Sequence, residues 1–359
     1  MAGRRTGGRA VGMAGGATDR IGIGMVGAGN ISRARHVPGF KAIPGVELVG
    51  VVNRTPESSR QAATEFGFGK THANWRDLID DKAVNAVVVA TWPYLHAPVT
   101  LAALDAGKHV LTQARMATDS DEAHEMLAAS RDHPELVTMI VPAPTSLWGD
   151  RAIERTLAEG AIGDLRTVRV TWGGSVSGGA PDPWRRQKRY SGNNIMAVGI
   201  LYECMARWLG HASSVQARTE IYVPSGPGLD WTEHFDVPDY VAIQAEFAGR
   251  VHATIEISAH ASFGGANSAY LFGTKGTLRV DFDAKTLAVA THGVTDYRPV
   301  EIRPDERQDW RVEVDFIGAI RGENEVRLTD FATGVRYMEF TDAVARSGAE
   351  GRAVDVADL

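Results

Sequence analysis

Between residue 21 and about residue 142, short apolar runs alternate with amphipathic stretches. Ile21–Val26 and the runs at 47–52, 84–90, 108–111 and 137–141 have strand length. The run at 84–90 is apolar without interruption, as a strand covered on both faces is. Between these runs, 31–40, Pro56–Phe66, 97–106 and 120–131 read as helices. Pro56 stands near the first turn of its helix, where its missing N–H costs little. Ser120 or Asp121 can cap the last of them, and Gly107 closes the third. Strands alternating with helices predict parallel βαβ units in a doubly wound α/β sheet, with ligands at the carboxyl ends of the strands.

The second half has a different rhythm. Residues 145–160 read as an amphipathic helix, and 165–172 alternate as a half-buried strand does. Further strands are expected at 215–223, 240–247, 251–258, 269–272 and 277–282. Close spacing, as across Ala248-Gly249-Arg250, argues for antiparallel hairpins, and so for a broad sheet face open to a second subunit. Residues 310–320 read as a helix. Asp330 can cap a last one, through about Arg346, which should return to the first domain. The organisation expected is a leader at 1–19, a dinucleotide-binding domain at 20–144, an α+β domain at 145–330, the returning helix at 331–348 and a tail. Residues 173–182, rich in Gly and Ser, read as a loop.

Composition narrows this. The chain has 359 residues, 44% hydrophobic and 23% charged, ordinary for a globular protein of about two domains. A net charge of −6 speaks against nucleic acid or an anionic membrane as partner. No apolar run approaches a membrane span. One cysteine, Cys204, excludes an internal disulfide and fits a cytoplasmic protein. Arg4-Arg5 lacks the apolar segment of an export signal, and Met13 is a second candidate start. His234, His252 and His260 lack metal-ligand spacing, so no metal site is expected.

The chemistry begins at Gly27-Ala28-Gly29-Asn30-Ile31-Ser32. A glycine pattern placed between strand and helix is a dinucleotide fingerprint. Gly27 permits the tight turn, Gly29 lets a diphosphate approach, and Ser32 fills the place of the third small residue. Asn30 and Ile31 open the helix whose N–H groups face the phosphates. The second strand ends in Asn53-Arg54, not in the acidic residue that accepts from the ribose of NAD. Asn53 removes a repelling carboxylate and Arg54 supplies a fork for a 2′-phosphate, so NADP is expected over NAD. Thr91, Trp92, Tyr94 and His96 stand after the fourth strand, where aromatic faces could meet a nicotinamide ring. Pro183 to Tyr190 hold four cations and two aromatics, among them Arg185, Arg186, Lys188 and Tyr190. A solvated loop and a loop that holds a carboxylate, phosphate or sulfonate are both open.

Thr91-x-Pro93-x-x-His96, Ala106-Gly107-Lys108-His109-Val110-Leu111, Met116-Ala117, Arg207-Trp208-Leu209-Gly210 and Gly273-Thr274-Lys275-Gly276-Thr277-Leu278 together resemble the Gfo/Idh/MocA family, over about residues 20–345. The resemblance implies a Rossmann domain, then an α+β domain whose large, mostly antiparallel sheet makes a homodimer or homotetramer, and a sugar or polyol substrate. Two motifs depart from the family. Its Glu-Lys-Pro is Gln113-Ala114-Arg115, so the lysine position holds Ala114. Its Asp-x-Gly-x-His-x-x-Asp aligns with 197–204, where Gly199 survives but Ala197, Leu201 and Cys204 replace the Asp, His and Asp. The customary acid/base pair is absent.

The expected activity is hydride transfer between a nicotinamide cofactor and a sugar, polyol or related carbonyl compound. Tyr202, Lys188 and Tyr190 are the candidate proton donors, Gln113 and Arg115 orient groups near the ring, and Arg185, Arg186, Asn193, Asn194 and Glu203 are candidate substrate contacts. Two rival readings are a redox-neutral enzyme that cleaves glycosides or eliminates a group with a tightly held cofactor, and a non-catalytic nucleotide-binding sensor.

Overall fold

Ile21–Val26 forms β1, buried along its whole length. The structure is a computed structural model that describes residues 20–173, 183–227, 232–261 and 264–359. The expected leader and nearly all of the 173–182 loop lie outside the described residues. After β1 come a π-helical turn, Ser32–His36, then α1 (Val37–Lys41), β2 (Val46–Val52), α2 (Pro56–Phe66), β3 (Lys70–Thr71), α3 (Trp75–Ile79), β4 (Ala86–Val89), α4 (His96–Asp105), β5 (His109–Thr112), α5 (Ser120–Asp132) and β6 (Thr138–Ile140). β3 and α3 carry too little apolar pattern to be read from sequence.

These strands form one parallel six-stranded sheet among the described residues, in the order β3-β2-β1-β4-β5-β6. The order reverses between β1 and β4, which opens a crevice beyond their carboxyl ends. One face of the sheet packs Ile23, Met25 and Val88 against Phe40 and Phe316. The other packs Val87 and Val89 against Val99 and Leu104.

The second half supplies α6 (Asp150–Ala158), β7 (Leu165–Gly173), α7 (Lys188–Ser191), α8 (Val198–Leu209), β8 (Ala212–Glu220), β9 (Ser225–Pro227), β10 (Thr232–His234), β11 (Tyr240–Phe247), β12 (Val251–Ser258), β13 (Ser268–Gly273), β14 (Gly276–Asp281), β15 (Thr286–Thr291), β16 (Arg298–Pro299), α9 (Val312–Ile320), α10 (Phe331–Glu350) and β17 (Val354–Asp355). Its large sheet runs β16-β15-β14-β13-β7-β12-β11-β8-β17 among the described residues. Among the described residues of this sheet only β7 and β12 pair in parallel; the other pairs are antiparallel. Val168 and Val170 of β7 point into the core while their neighbours face out.

Three expectations change. The helix expected at 145–160 begins only at Asp150, because Ser146 O accepts from both Gly149 and Asp150 N–H and closes a turn first. α9 leaves its sequence neighbours and packs Phe316 and Ile317 on the first sheet. The expected tail is structured: Val354 pairs with Val215 of β8, and Val354 and Val356 are buried.

α10 starts where Asp330 Oδ1 accepts from Thr333 N–H at 2.7 Å, which satisfies an otherwise unpaired helix donor. It lies between the two halves. Asp342 accepts from Ser120 N–H and Oγ, both at 2.7 Å, while Ser347 Oγ accepts from Ala217 N–H of β8 at 2.8 Å. A second clamp forms around Arg207, which reaches Asp150 of α6 at 2.6 Å, Glu203 at 2.8 Å and Ala143 O at 2.8 Å. Glu203 also accepts from Ala143 N–H and Thr329 Oγ1. These polar groups are enclosed, so each needs its partner.

Candidate active site

Gly27 ends β1 with φ +85°, and a Cβ there would lie 2.6 Å from Ala90 O. Both the left-handed turn and the close pass of β4 require glycine. A Cβ added at Gly29 would meet nothing within 4 Å, so open space faces this glycine. Asn53 Oδ1 accepts from Ala28 N–H at 2.7 Å, and its amide donates to Ser58 O at 3.1 Å. Asn53 therefore braces the glycine turn with its side chain. The first helical turn carries no acidic residue and no side-chain cap, which leaves its N–H dipoles for an anion. Asn30 is exposed and accepts from Arg33 at 3.2 Å; Ile31 exposes its side chain beside the turn. This arrangement fits a nucleotide diphosphate.

The next strand ends are tied together. His96 lies at the start of α4, 1% exposed, with Nε2 3.0 Å from Thr91 O and Nδ1 2.8 Å from Arg115 O. Both nitrogens face backbone carbonyls, and burial pulls the imidazole below its usual range. It joins the loops after β4 and β5 and is not placed to carry a substrate proton. Gln113 donates its amide to His36 Nε2, and His36 Nδ1 lies 2.5 Å from Glu313 of α9, which also accepts from Trp310 Nε1 at 2.8 Å. The contact of His36 with Trp310 and Glu313 was not legible, because His36 and Glu313 lie 277 residues apart.

The second half closes the crevice with aromatic rings. Trp184 stacks on Trp92 with centroids 5.3 Å apart and planes 13° from parallel. Tyr190 meets Trp92 edge-on at 4.9 Å and Tyr94 at 5.5 Å. The Arg54 guanidinium lies 5.7 Å from the centre of the Trp92 ring. Burial, then the neighbouring Tyr190, raise the Tyr94 phenol above its ordinary range, against the lowering pull of Arg54. Offset and edge contacts of this kind favour aromatic groups, and here they join the segment after β4 to α7 and the turn before it. Gly192, φ +63°, permits the turn that follows: a Cβ there would lie 2.1 Å from Thr118 O, and Asn193 N–H donates to that same oxygen at 2.8 Å.

Other expected site residues lie elsewhere. Tyr202 is 1% exposed, stacks on Phe340 at 3.8 Å, and accepts from Ala212 N–H at 3.0 Å. Burial pushes its phenol up to about 12, against the lowering effect of the Ala212 N–H. It is a core residue, because one step along α8 from the vacant Leu201 position turns the side chain by about 100°. Glu203 belongs to the Arg207 clamp. Arg186 is held by Asp239 and Val223 O, each at 2.6 Å. Asn194 donates to Ala117 O and Ser191 O at 2.9 and 2.7 Å and fixes the loop. Lys188 and Asn193 line a separate groove of about 440 Å³, with Thr219, Asp236 and Pro238. Asn193 also donates to Asp342 at 3.0 Å. The charged loop thus divides. Trp184 and Tyr190 face the crevice, whereas Arg186 and Lys188 serve the second half.

Known proteins share this architecture. Residues 21–140 match the pattern described as "Oxidoreductase family, NAD-binding Rossmann fold", and residues 151–279 match the GFO/IDH/MocA C-terminal domain. Levoglucosan dehydrogenase of Pseudarthrobacter phenanthrenivorans is 27% identical over 295 residues, 74% of each chain. 1,5-Anhydro-D-fructose reductase of Ensifer adhaerens is 35% identical over 147 residues, 41% of this chain and 44% of that one. A solved structure of levoglucosan dehydrogenase with NADH and L-sorbose superposes with a TM-score of 0.80 and 25% identity, over 94% of this chain and 99% of that one. The two matched domains span most of the chain, and the glycine turn, the strand order and the large second sheet all agree with them. The chain belongs to the GFO/IDH/MocA family of NAD-binding oxidoreductases.

Proposed function

We propose that the chain transfers hydride between a nicotinamide cofactor and a carbinol or carbonyl carbon of a carbohydrate, with Tyr190 exchanging the proton. The observation that carries this is the closure of the crevice at the strand ends by Trp184 and Tyr190. A nicotinamide bound there supplies or takes the hydride. The rest falls to this chain. Gly27, Gly29 and the helix start receive the diphosphate, and the aromatic rings exclude water and give a sugar a flat apolar surface. For each hydride a carbonyl carbon gains, its oxygen takes one proton. Tyr190 is half-buried with its ring against Trp92, and its Oη can deliver that proton. The levoglucosan and anhydrofructose enzymes named above support a sugar-type substrate. The test is the absorbance of reduced nicotinamide during incubation with a carbohydrate panel. Binding of nucleotide without any absorbance change would reject the proposal.

NADP is the proposed preference. Asn53 and Arg54, not a carboxylate, stand directly after β2, and the exposed Arg54 guanidinium can pair with a 2′-phosphate. Arg54→Ala is expected to raise the Kd for NADP about tenfold, the worth of one charge-assisted contact, and to leave NAD within twofold. Equal losses for both nucleotides would remove the preference.

The outer face of the large sheet is the proposed homo-oligomer surface. Tyr270 and Phe272 stack there at 6.0 Å, with Arg169 over both rings. Light scattering of the full chain should give a dimer or tetramer that Tyr270→Glu with Phe272→Glu converts to monomer; a monomeric parent chain rejects it. No helix among the described residues is long and apolar enough to cross a membrane, and a cytoplasmic site of action is proposed from the single, buried cysteine.

A further inference from the structure

Arg115 follows β5 and is 6% exposed, yet its guanidinium makes no hydrogen bond or ion pair with any described residue, and its Nε is fully enclosed without a partner. The other enclosed arginines differ. Arg186 has Asp239, and Arg207 has Asp150 and Glu203. What lies near Arg115 is a second cation. Burial, and then the like charge of Arg185, pull the Arg115 guanidinium down to about 10, still fully charged at neutral pH. Arg115 Cδ packs over Gly199 of α8, 3.4 Å from where a Cβ would stand, an ordinary contact distance. His96 holds its carbonyl at 2.8 Å, which fixes the backbone. Arg185 lies 4.3 Å over the Trp184 ring, the ring that stacks on Trp92, and so comes with the wall of the crevice.

A buried charge without a counter-charge is costly, and an anion beside Arg115 would offset that cost together with the like charge of the exposed Arg185 nearby. The cofactor diphosphate does not supply it, because the glycine turn lies at the end of β1, with β4 between β1 and β5. We propose that the substrate is an anionic carbohydrate, bearing a carboxylate or phosphate that Arg115 and Arg185 hold together, which fixes the reacting carbon relative to the aromatic wall. This rests on reading the crevice as the hydride-transfer site.

The test uses the full chain saturated with NADH or NADPH, titrated calorimetrically with D-glucuronate, D-galacturonate, D-glucose 6-phosphate, D-glucose and D-galactose. At least one anion should bind ten-fold or more tightly than its neutral counterpart. Preference for the uronates identifies a carboxylate, and preference for the phosphate identifies a phosphoryl group. Arg115→Gln should abolish that difference, keep nucleotide affinity within twofold, and raise the melting temperature of the ligand-free chain by removing an uncompensated charge. Arg185→Gln, on a more exposed loop, should reduce the same difference and serves if the first variant does not fold. Equal binding of neutral and anionic sugars overturns the inference. So does an Arg115→Gln variant that loses nucleotide affinity but keeps the discrimination, which would make Arg115 a cofactor contact. An anion that binds but never changes nicotinamide absorbance would refute hydride transfer and leave the anion site standing. Turnover of neutral sugars alone would do the reverse.

Discussion

Tyr190→Phe is expected to lower kcat by roughly 10²–10⁴-fold, the usual worth of a positioned proton donor, with nucleotide affinity unchanged. Phenylalanine keeps the ring that meets Trp92 at 4.9 Å and Tyr94 at 5.5 Å, so the wall stays closed while the hydroxyl is lost. The effect should fall on kcat more than on KM, because the proton moves only as the bond order at the substrate oxygen changes. Tyr202→Phe is the matched control. It removes a hydroxyl that accepts from Ala212 N–H in the core, so it should cost about 1 kcal/mol of stability and leave kcat within twofold. Steady-state kinetics on both variants decides the matter. A Tyr190→Phe enzyme with parental kcat, or a Tyr202→Phe enzyme that loses it, would move the proton transfer elsewhere.

Arg207→Ala is expected to destabilise the chain by about 3–5 kcal/mol, as breaking a buried ion pair from one side does. Asp150 and Glu203 would remain in the interior with their counter-ion gone; their side chains are 4% and 2% exposed. The loss should reach the site as well. Arg207 also holds Ala143 O, in the segment that leaves β6 for the second half, and Glu203 holds Thr329 just before α10. Loosening this junction should raise KM, since Trp92 and Trp184 come from opposite halves. The triple change Arg207→Met, Glu203→Gln, Asp150→Asn keeps acceptors for Trp208 Nε1 and Thr329 and removes the charges together, so it should recover most of the stability. Chemical denaturation of the three proteins checks this. A loss below about 1 kcal/mol for Arg207→Ala would mean that water reaches the clamp and screens it.

The contrast between Tyr190 and Tyr202 also marks how far the candidate site was legible. Both are tyrosines in stretches that resemble substrate-binding segments. Which of them faces the crevice depends on the phase of α8 and on the turn at Gly192, and neither is set by composition. The cluster at 183–190 had two open readings, a solvated loop and an anion-holding one, and neither foresaw that Arg186 pairs with Asp239 inside the second half. Asn53 was legible as a residue at the end of β2, but its bond to Ala28 N–H was not, because an amide can as well point to solvent.

The sequence by itself determined five of the six strands of the first sheet and four of their helices, the glycine turn with its open face at Gly29, the Asp330 cap and the alternating strands of the second sheet. Each of these is a local pattern: a period of two or 3.6, a cap three residues from its partner, a glycine where a side chain would clash. The tertiary structure alone decided that α9 returns to the first sheet, that His36 meets Glu313, that the last residues add a strand beside β8, and that Arg115 stands buried without a carboxylate. Those outcomes depend on which distant groups share the limited space away from water, where a charge must find its partner or wait for one to arrive with the ligand.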